Sequence, residues 1–327
     1  MSLLAVRNLH VRYALAGALK AAMLGLKNRH LDAVLDVSFD LAAGKTLAVV
    51  GESGSGKSTL ARAICGLLPI AGGSVVFDGK NPFAGGEGGN RAYHRDVSLM
   101  FQDPVSSLSP RRTVESLITE PFVIHGMRRE RDLTAEAARL LRLVGLPRDF
   151  ARRYPHQLSG GQARRVGVAR AIALNPRLII ADEPTAGLDV SVQGEVLNLL
   201  VKLQNEFGIA YVIITHNLPV VRHITDETVI MYMGRIVEKG PTADVFRKPA
   251  HPYTAALIAA QPSPDPRHRK LGAVLSGEVA SLRNRPPGCE FHPRCPRAQD
   301  ICRRELPALA SVAPGQTARC HFPLTLA

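Results

Sequence analysis

The sequence has no tryptophan and only 5% aromatic residues. Stacking platforms for bases are scarce, which weighs against a nucleic-acid surface. It also lacks any apolar run of the about 18 residues that a membrane-spanning helix needs. The longest charge-free stretches, such as Ala63 to Phe77, are interrupted by proline and glycine. Acids are few: 28 Asp+Glu stand against 41 Lys+Arg, a formal charge of +13. That balance favours polyanionic partners, among them nucleic acid, nucleotide and an anionic membrane face, without choosing between them. No basic start followed by an apolar core and a small-residue cleavage site opens the sequence, so no export signal is expected. Five cysteines without such a signal point to a reducing compartment, where clustered thiols serve metal or redox chemistry more often than disulfides. Apolar residues are plentiful, 46% of 327, enough to bury the core of one large or two modest domains.

The stretch GESGSGKST, Gly51 to Thr59, organises the chain. It follows the strand-like run Thr46 to Val50 and precedes the helix-like LARAICGL, the context that turns a G-x-x-x-x-G-K-[ST] match into a phosphate-binding loop. Gly51, Gly54 and Gly56 let the backbone N–H groups converge, with Glu52, Ser53 and Ser55 between them, and the helix start adds its positive dipole end. A polyphosphate is the expected occupant. Lys57 reaches the β- and γ-phosphates and the Ser58 hydroxyl takes one Mg2+ position.

Strands are expected at Leu3 to Tyr13, Val34 to Leu41, Gly72 to Phe77 and Val97 to Phe101. Between the first two lies an insertion in which Leu15, Ala18, Leu19, Ala22, Met23 and Leu26 recur at helical spacing. It reads as a surface helix packed on its own domain or as a basic amphipathic helix touching a membrane. Gly85 to Asn90 reads as a flexible loop, and helical patterning runs from about Thr113 to Val144. Arg177 to Glu183 and Ile209 to Thr215 are apolar runs of the kind that form central parallel strands, and Val229 to Lys239 reads as a hairpin. From His251 on, the chain is proline-rich and holds four of the five cysteines. We therefore expect a nucleotide-binding domain over 1–250, with a helical subdomain at about 104–170, and a small appended region over 251–327.

Asp182 and Glu183 close the apolar run that faces the phosphate loop. Asp182 is placed to hold Mg2+, and Glu183 to accept a proton from the water that attacks the terminal phosphate. Gln102 and His216 also end apolar strands. Gln102 is suited to line up water and Mg2+, and His216 to hydrogen-bond the γ-phosphate. Leu158-Ser159-Gly160-Gly161-Gln162 pairs a hydroxyl with glycine N–H groups at a helix start, a second anion-binding pattern.

Taken in order, GESGSGKST, FQD, LSGGQ, LIIADEP, GLD (Gly187 to Asp189) and ITH (Ile214 to His216) resemble the nucleotide-binding subunit of an ABC transporter. The resemblance implies an α/β fold with a mainly parallel core sheet, an antiparallel β subdomain, a helical signature subdomain and a small Cys-rich C-terminal extension. It implies ATP and Mg2+ as ligands and an ATPase that drives transport. Two such subunits would sandwich two ATP molecules head to tail, with Ser159, Gly160, Gly161, Gln162 and Asp189 reaching the partner's ATP. Tyr13 would stack on adenine and Thr59 would touch the α-phosphate. Two membrane-spanning permease subunits would dock helices near Gln102, placing the chain peripherally on the cytoplasmic face of the inner membrane.

MFQDPVSSLSPR, RYPHQLSGGQ, HPYTAAL and GCEFHPRCP are similar to the oligopeptide/dipeptide importers, a group that includes nickel and glutathione uptake systems. The insertion after Tyr13 is similar to the second of the two ATPases in such systems. A second homologous ATPase subunit, or a second copy of this chain, would then complete the pair, and a substrate-binding protein would act through the permeases. Cys289, Cys295, Cys302 and Cys320 follow the spacing C-x5-C-x6-C-x17-C. Spacing alone leaves Zn2+, an iron–sulfur cluster and unligated thiols open, with His292 and His321 as substitute ligands. The resemblance favours [4Fe–4S]. Cys65, behind the phosphate loop, is expected in the core. The stretch Arg267 to Arg304 carries nine Lys+Arg against three Asp+Glu and reads as a solvated face or a surface for anionic lipid. A soluble ATPase acting on ribosomes or DNA is the rival class, and a redox sensor built on the Cys-rich tail a third reading. Against the former, neither a second cassette nor a long coiled coil is present in the sequence, and no nucleic-acid partner is expected.

Overall fold

The structure, a computed structural model, describes residues 2–15, 30–84, 87–103, 107–261 and 280–324, with 87–90 as backbone only. The helical pattern expected after Tyr13 falls almost wholly outside these residues, as does the first part of the basic stretch that begins at Arg267.

In chain order the elements begin with β1 (Ser2–Ala14), β2 (His30–Ala42), β3 (Thr46–Val50), α1 (Lys57–Ile64) and β4 (Gly72–Phe77). Next come α2 (Glu87–Asp96), β5 (Val97–Met100), α3 (Val114–Ile124), α4 (Leu133–Leu143), α5 (Gly160–Ala171), β6 (Leu178–Asp182), α6 (Val190–Phe207) and β7 (Ala210–Thr215). The chain ends through α7 (Leu218–Ile224), β8 (Glu227–Tyr232), β9 (Arg235–Pro241), α8 (Thr242–Arg247), α9 (Pro252–Ala259), α10 (Asp300–Arg304), β10 (Ala310–Ala313) and β11 (Gln316–Ala318). The expected strands are present to within a few residues at their ends.

Two compact units make up the chain, one formed chiefly by Val76–Ile214 and the other by Ala5–Asp40, Leu47–Val75 and Thr215–Ala327. In the first, β7, β6 and β5 pair in parallel, with Ala181 opposite Ile213 and Met100 opposite Ala181. Every residue of β6 and β7 is buried, as the unbroken apolar runs require of strands covered on both faces. The helices α3 to α5 belong to this unit. The single helical pattern from Thr113 to Val144 is two helices, because Gly126 turns left-handed at φ 79° and Asp132 caps a new start by accepting from Thr134 and Ala135 N–H. The Gly85–Asn90 stretch differs from the loop expected there: α2 already begins at Glu87. Further along that helix Tyr93 packs edge-on against Phe77 and Phe83 at 5.4 and 5.6 Å, contacts a local reading of glycine content does not anticipate.

In the second unit β3 pairs in parallel with β8, Val49 opposite Val229. The β8–β9 hairpin is antiparallel as expected, and β11 and then β10 extend it antiparallel. These last two strands, four and three residues long, lie in the tail that showed no periodicity. A three-stranded sheet in the order β2-β1-β4 completes this unit. Its core gathers Val50, Ile230, Tyr232, Val237, Tyr253 and Phe291, so tail residues pack with those of the phosphate-loop strand. Cys65 is buried, with its thiol pushed up to about 12 by desolvation, in keeping with a core role.

Candidate functional site

The phosphate loop leaves the buried strand β3 and enters α1 through two glycines whose lack of a side chain is needed. A Cβ on Gly51 would come within 2.3 Å of the Met231 carbonyl. Gly56 adopts φ 99°, and a Cβ there would meet the Ala33 carbonyl at 2.4 Å. Gly56 is also the N-cap of α1, and no side chain among the described residues caps that helix start. Its first N–H groups thus face the loop interior as an anion cradle. Lys57, nearly buried, curls back so that Nζ donates to the carbonyls of Gly51 and Glu52, both at 2.8 Å, and to Ser55 Oγ at 3.3 Å. The ammonium is therefore held where a phosphate would compete for it. Ser53 is exposed, and Ser58 and Thr59 are partly so. Tyr13 shares a hydrogen bond with Thr59 through their hydroxyls at 3.2 Å.

Glu52 is tied to residues far along the chain. Its N–H donates to the Tyr253 hydroxyl at 2.9 Å, and its carboxylate receives both terminal nitrogens of Arg294 at 2.7 and 3.0 Å. Neither Tyr253 nor Arg294 carried a role in the sequence reading. HPYTAAL and HPRCP drew notice only as resemblances, and nothing local marks their long-range partner. Tyr253 is placed by α9, whose N-cap is the His251 ring, accepting from Tyr253 N–H at 3.0 Å. Complete burial pulls His251 down to about 3 and keeps that nitrogen able to accept.

In the other unit β6 delivers Asp182, 8% exposed, at its last position. The next residue, Glu183, adopts φ 49°, uncommon for a side-chain-bearing residue. Its N–H donates to Ile214 O at 2.8 Å, which holds this strained backbone in place. Gln102 Nε2 donates to Glu183 Oε2 at 2.9 Å, so two of the predicted residues meet directly. A third group, missed in the sequence, ties their loops together. Arg164, buried on α5, donates to Gln102 O at 2.9 Å and to Ala186 O at 2.8 Å. Burial lowers its pKa and the charge of Asp103 acts to raise it. The only sequence signal was its position two residues beyond the LSGGQ stretch.

Ser159 caps α5, accepting from Gln162 N–H at 3.3 Å, while Gln162 Oε1 accepts from Ser159 N–H at 3.0 Å. This reciprocal capping box uses the groups read as a second anion-binding element. Gly161 lies against Val192, where a Cβ would approach Cγ1 to 2.8 Å, and Gly160 is exposed. Asp189 is exposed too and caps α6 by accepting from Val192 N–H at 3.0 Å. His216 is exposed just past β7.

Cys289, Cys295, Cys302 and Cys320 line one small cavity together with His251, His292, His321 and Phe291. Desolvation raises Cys289 to about 11 and also raises Cys295 and Cys320, and each is raised further by neighbouring members of the set. Among the described residues, no three His, Cys, Asp or Glu are grouped as ligands of a single metal ion. The basic stretch that reaches Arg304 is partly inward-facing. Arg285 donates to Met233 O, Asp32 O and Glu290, and Arg294 is spent on Glu52.

Comparison with known proteins yields two family matches: "ABC transporter" over residues 34–186, and "Oligopeptide/dipeptide transporter, C-terminal region" over 237–302. A probable peptide ABC transporter ATP-binding protein of Sinorhizobium fredii is 50% identical, covering 88% of this chain and 82% of its own length. The oligopeptide transport ATP-binding protein AppF of Bacillus subtilis is 42% identical over 93% of both chains. Among solved structures, cbiO1 of Clostridium perfringens, part of an ABC transporter complex, superposes with a TM-score of 0.64 at 28% identity. The match covers 76% of this chain and 91% of that one.

Proposed function

The chain belongs to the ABC transporter ATP-binding family, in the branch that carries the oligopeptide/dipeptide C-terminal region, and from that membership we propose that it hydrolyses ATP to energise peptide uptake. The observation that carries the reading is the phosphate loop, with a helix start open to an anion and a lysine poised over it. ATP supplies the free energy, and Mg2+ neutralises charge on its phosphates. Ser58, Asp182 and Gln102 carry oxygen donors suited to the ion. Lys57 exchanges its two carbonyl partners for phosphate oxygens. Glu183 takes the proton of the attacking water, Gln102 orients that carboxylate through the hydrogen bond seen here, and His216 contacts the terminal phosphate. Tyr13 faces the base, and Ser159 to Gln162 with Asp189 serve the site of a partnering ATPase. That partner is a second homologous subunit or another copy of this chain.

No helix among the described residues is long and apolar enough to cross a membrane. The proposed seat for the permeases is a groove of about 220 Å3 at Phe101, lined by Met100, Leu108, Ile124 and Leu174 and also by charged groups such as Arg95 and Glu120. Phe101 and Ile124 are 48% and 60% exposed there, unusual for large apolar side chains. This seat would hold the chain on the cytoplasmic face of the inner membrane. In this reading 1–250 form the nucleotide-binding domain and 251–327 the appended region.

The donor set in the tail fits a four-thiolate group. A [4Fe–4S] cluster, if bound there, would be held by Cys289, Cys295, Cys302 and Cys320 and would supply a redox-active group. Its positive core would offset part of the charge of the thiolates at Cys289, Cys295 and Cys320, which burial otherwise disfavours. Anaerobic purification with the permeases and a peptide-binding protein, followed by iron, sulfide and ATPase assays, tests the whole reading. We expect ATP hydrolysis stimulated by the loaded binding protein. A chain that hydrolyses ATP alone and never joins a membrane complex would remove the transporter assignment.

A further inference from the structure

Glu52 is held at three points. Tyr253 accepts from its N–H, Arg294 grips its carboxylate, and Lys57 donates to its carbonyl. The third of these anchors is the one a phosphate would remove, since Lys57 cannot serve the carbonyl and a phosphate oxygen in the same geometry. The other two come from the C-terminal region. Both are built into its core: Tyr253 is fully buried, the Arg294 side chain is 5% exposed, and the rings of Tyr232, Tyr253 and Phe291 meet tilted or edge-on with centroids 4.8 to 5.4 Å apart. Arg294 itself ends a short turn between Cys289 and Cys295, with its N–H donating to Phe291 O at 3.0 Å. Its guanidinium also lies 6.0 Å from the Tyr232 ring centre. The paired carboxylate raises the Arg294 pKa, so the guanidinium stays charged.

We propose that Tyr253 and Arg294 are positioning residues of the nucleotide site, through which the C-terminal region holds the phosphate loop in its binding shape while Lys57 changes partners. This rests on the reading that the loop binds ATP. A bidentate arginine–carboxylate pair fixes direction as well as distance, so it restrains the loop where a single lysine contact would not. With the two anchors in place, the backbone N–H groups of the loop do not have to be reordered when a phosphate arrives. Without them that ordering is drawn from the binding free energy.

The test is equilibrium binding of Mg2+–ATP to the full-length protein, with steady-state ATPase kinetics alongside. Arg294→Gln is expected to weaken ATP binding about tenfold and to raise KM in step, with kcat at saturating ATP changed less than about twofold. Tyr253→Phe, which removes one hydroxyl and keeps the packing, is expected to weaken binding about threefold. Arg294→Lys should recover only part of the loss. Because the effect of Arg294 runs through Glu52, Glu52→Gln combined with Arg294→Gln should bind no more weakly than the worse single variant. Wild-type affinity in Arg294→Gln and Tyr253→Phe, or strict additivity in the double variant, overturns the proposal. A wild-type chain that fails to bind ATP overturns the nucleotide reading instead. Should Arg294→Gln not fold, Tyr253→Phe and Glu52→Gln carry the same test.

Discussion

Two helices of this protein begin at glycine-bearing motifs that read from the sequence as anion sites, and they meet their unpaired N–H groups in opposite ways. At α1 the cap is a glycine, no described side chain competes for the first turn, and the nearby lysine is parked on carbonyls. At α5 Ser159 and Gln162 satisfy each other in a closed capping box. The first start has no side-chain cap among the described residues. The second is complete without a ligand, and its hydroxyl becomes available only when a hydrogen bond worth about 1 kcal/mol is exchanged. In the proposed reading, the difference separates a site that a single chain fills from one that would take its ligand only on assembly.

The largest expected effect leaves both helix starts intact and removes the chemistry. Glu183→Gln should lower turnover at least about 100-fold while ATP still binds, as read by phosphate release against equilibrium binding. Sustained turnover would take the base role away from Glu183. Lys57→Ala strikes the α1 start alone and should weaken ATP binding about 10- to 100-fold, the worth of a charge-assisted contact. Unchanged affinity would break the comparison at its stronger end. Arg164→Leu cuts the ties to Gln102 and Ala186. It should cost about 2 kcal/mol of stability, seen as a lower unfolding temperature, together with roughly tenfold slower turnover. Ser159→Ala sharpens the comparison most finely. It should cost about 1 kcal/mol of stability as a lost cap, leave ATP binding by the isolated chain unchanged, and slow the assembled complex. Weaker binding by the isolated chain would mean that α5 is an anion site within one chain after all.

Much of the fold was legible because its central strands are unbroken apolar runs with sharp ends. Arg177 to Glu183 and Ile209 to Thr215 differ from β6 and β7 by a residue or so at each end. The phosphate loop was equally plain, since glycine, lysine and serine at fixed spacing leave little freedom in backbone or chemistry. What stayed hidden was of another kind. The start of α2 lies in a glycine-rich stretch, and β10 and β11 are too short to show alternation. Arg164, Arg285 and Arg294 turn inward, and an arginine has the same charge in a sequence whether it meets solvent or a carbonyl. The meeting of Gln102 with Glu183 was implied by their roles, but its geometry was not.

By itself the sequence determined where a phosphate loop, a signature helix start and a pair of strand-end acids stand, because each is a local pattern of backbone freedom and side-chain chemistry. The tertiary structure decided which of these are open and who holds them. Glu52 is fastened by residues 201 and 242 positions away. The four tail cysteines line one cavity with Phe291, and Cys289 and Cys295 pack against the core that holds Tyr253 and Phe291. A hydrogen bond across such a span has no local signature, since neither partner constrains its own neighbours until the fold has brought the two together.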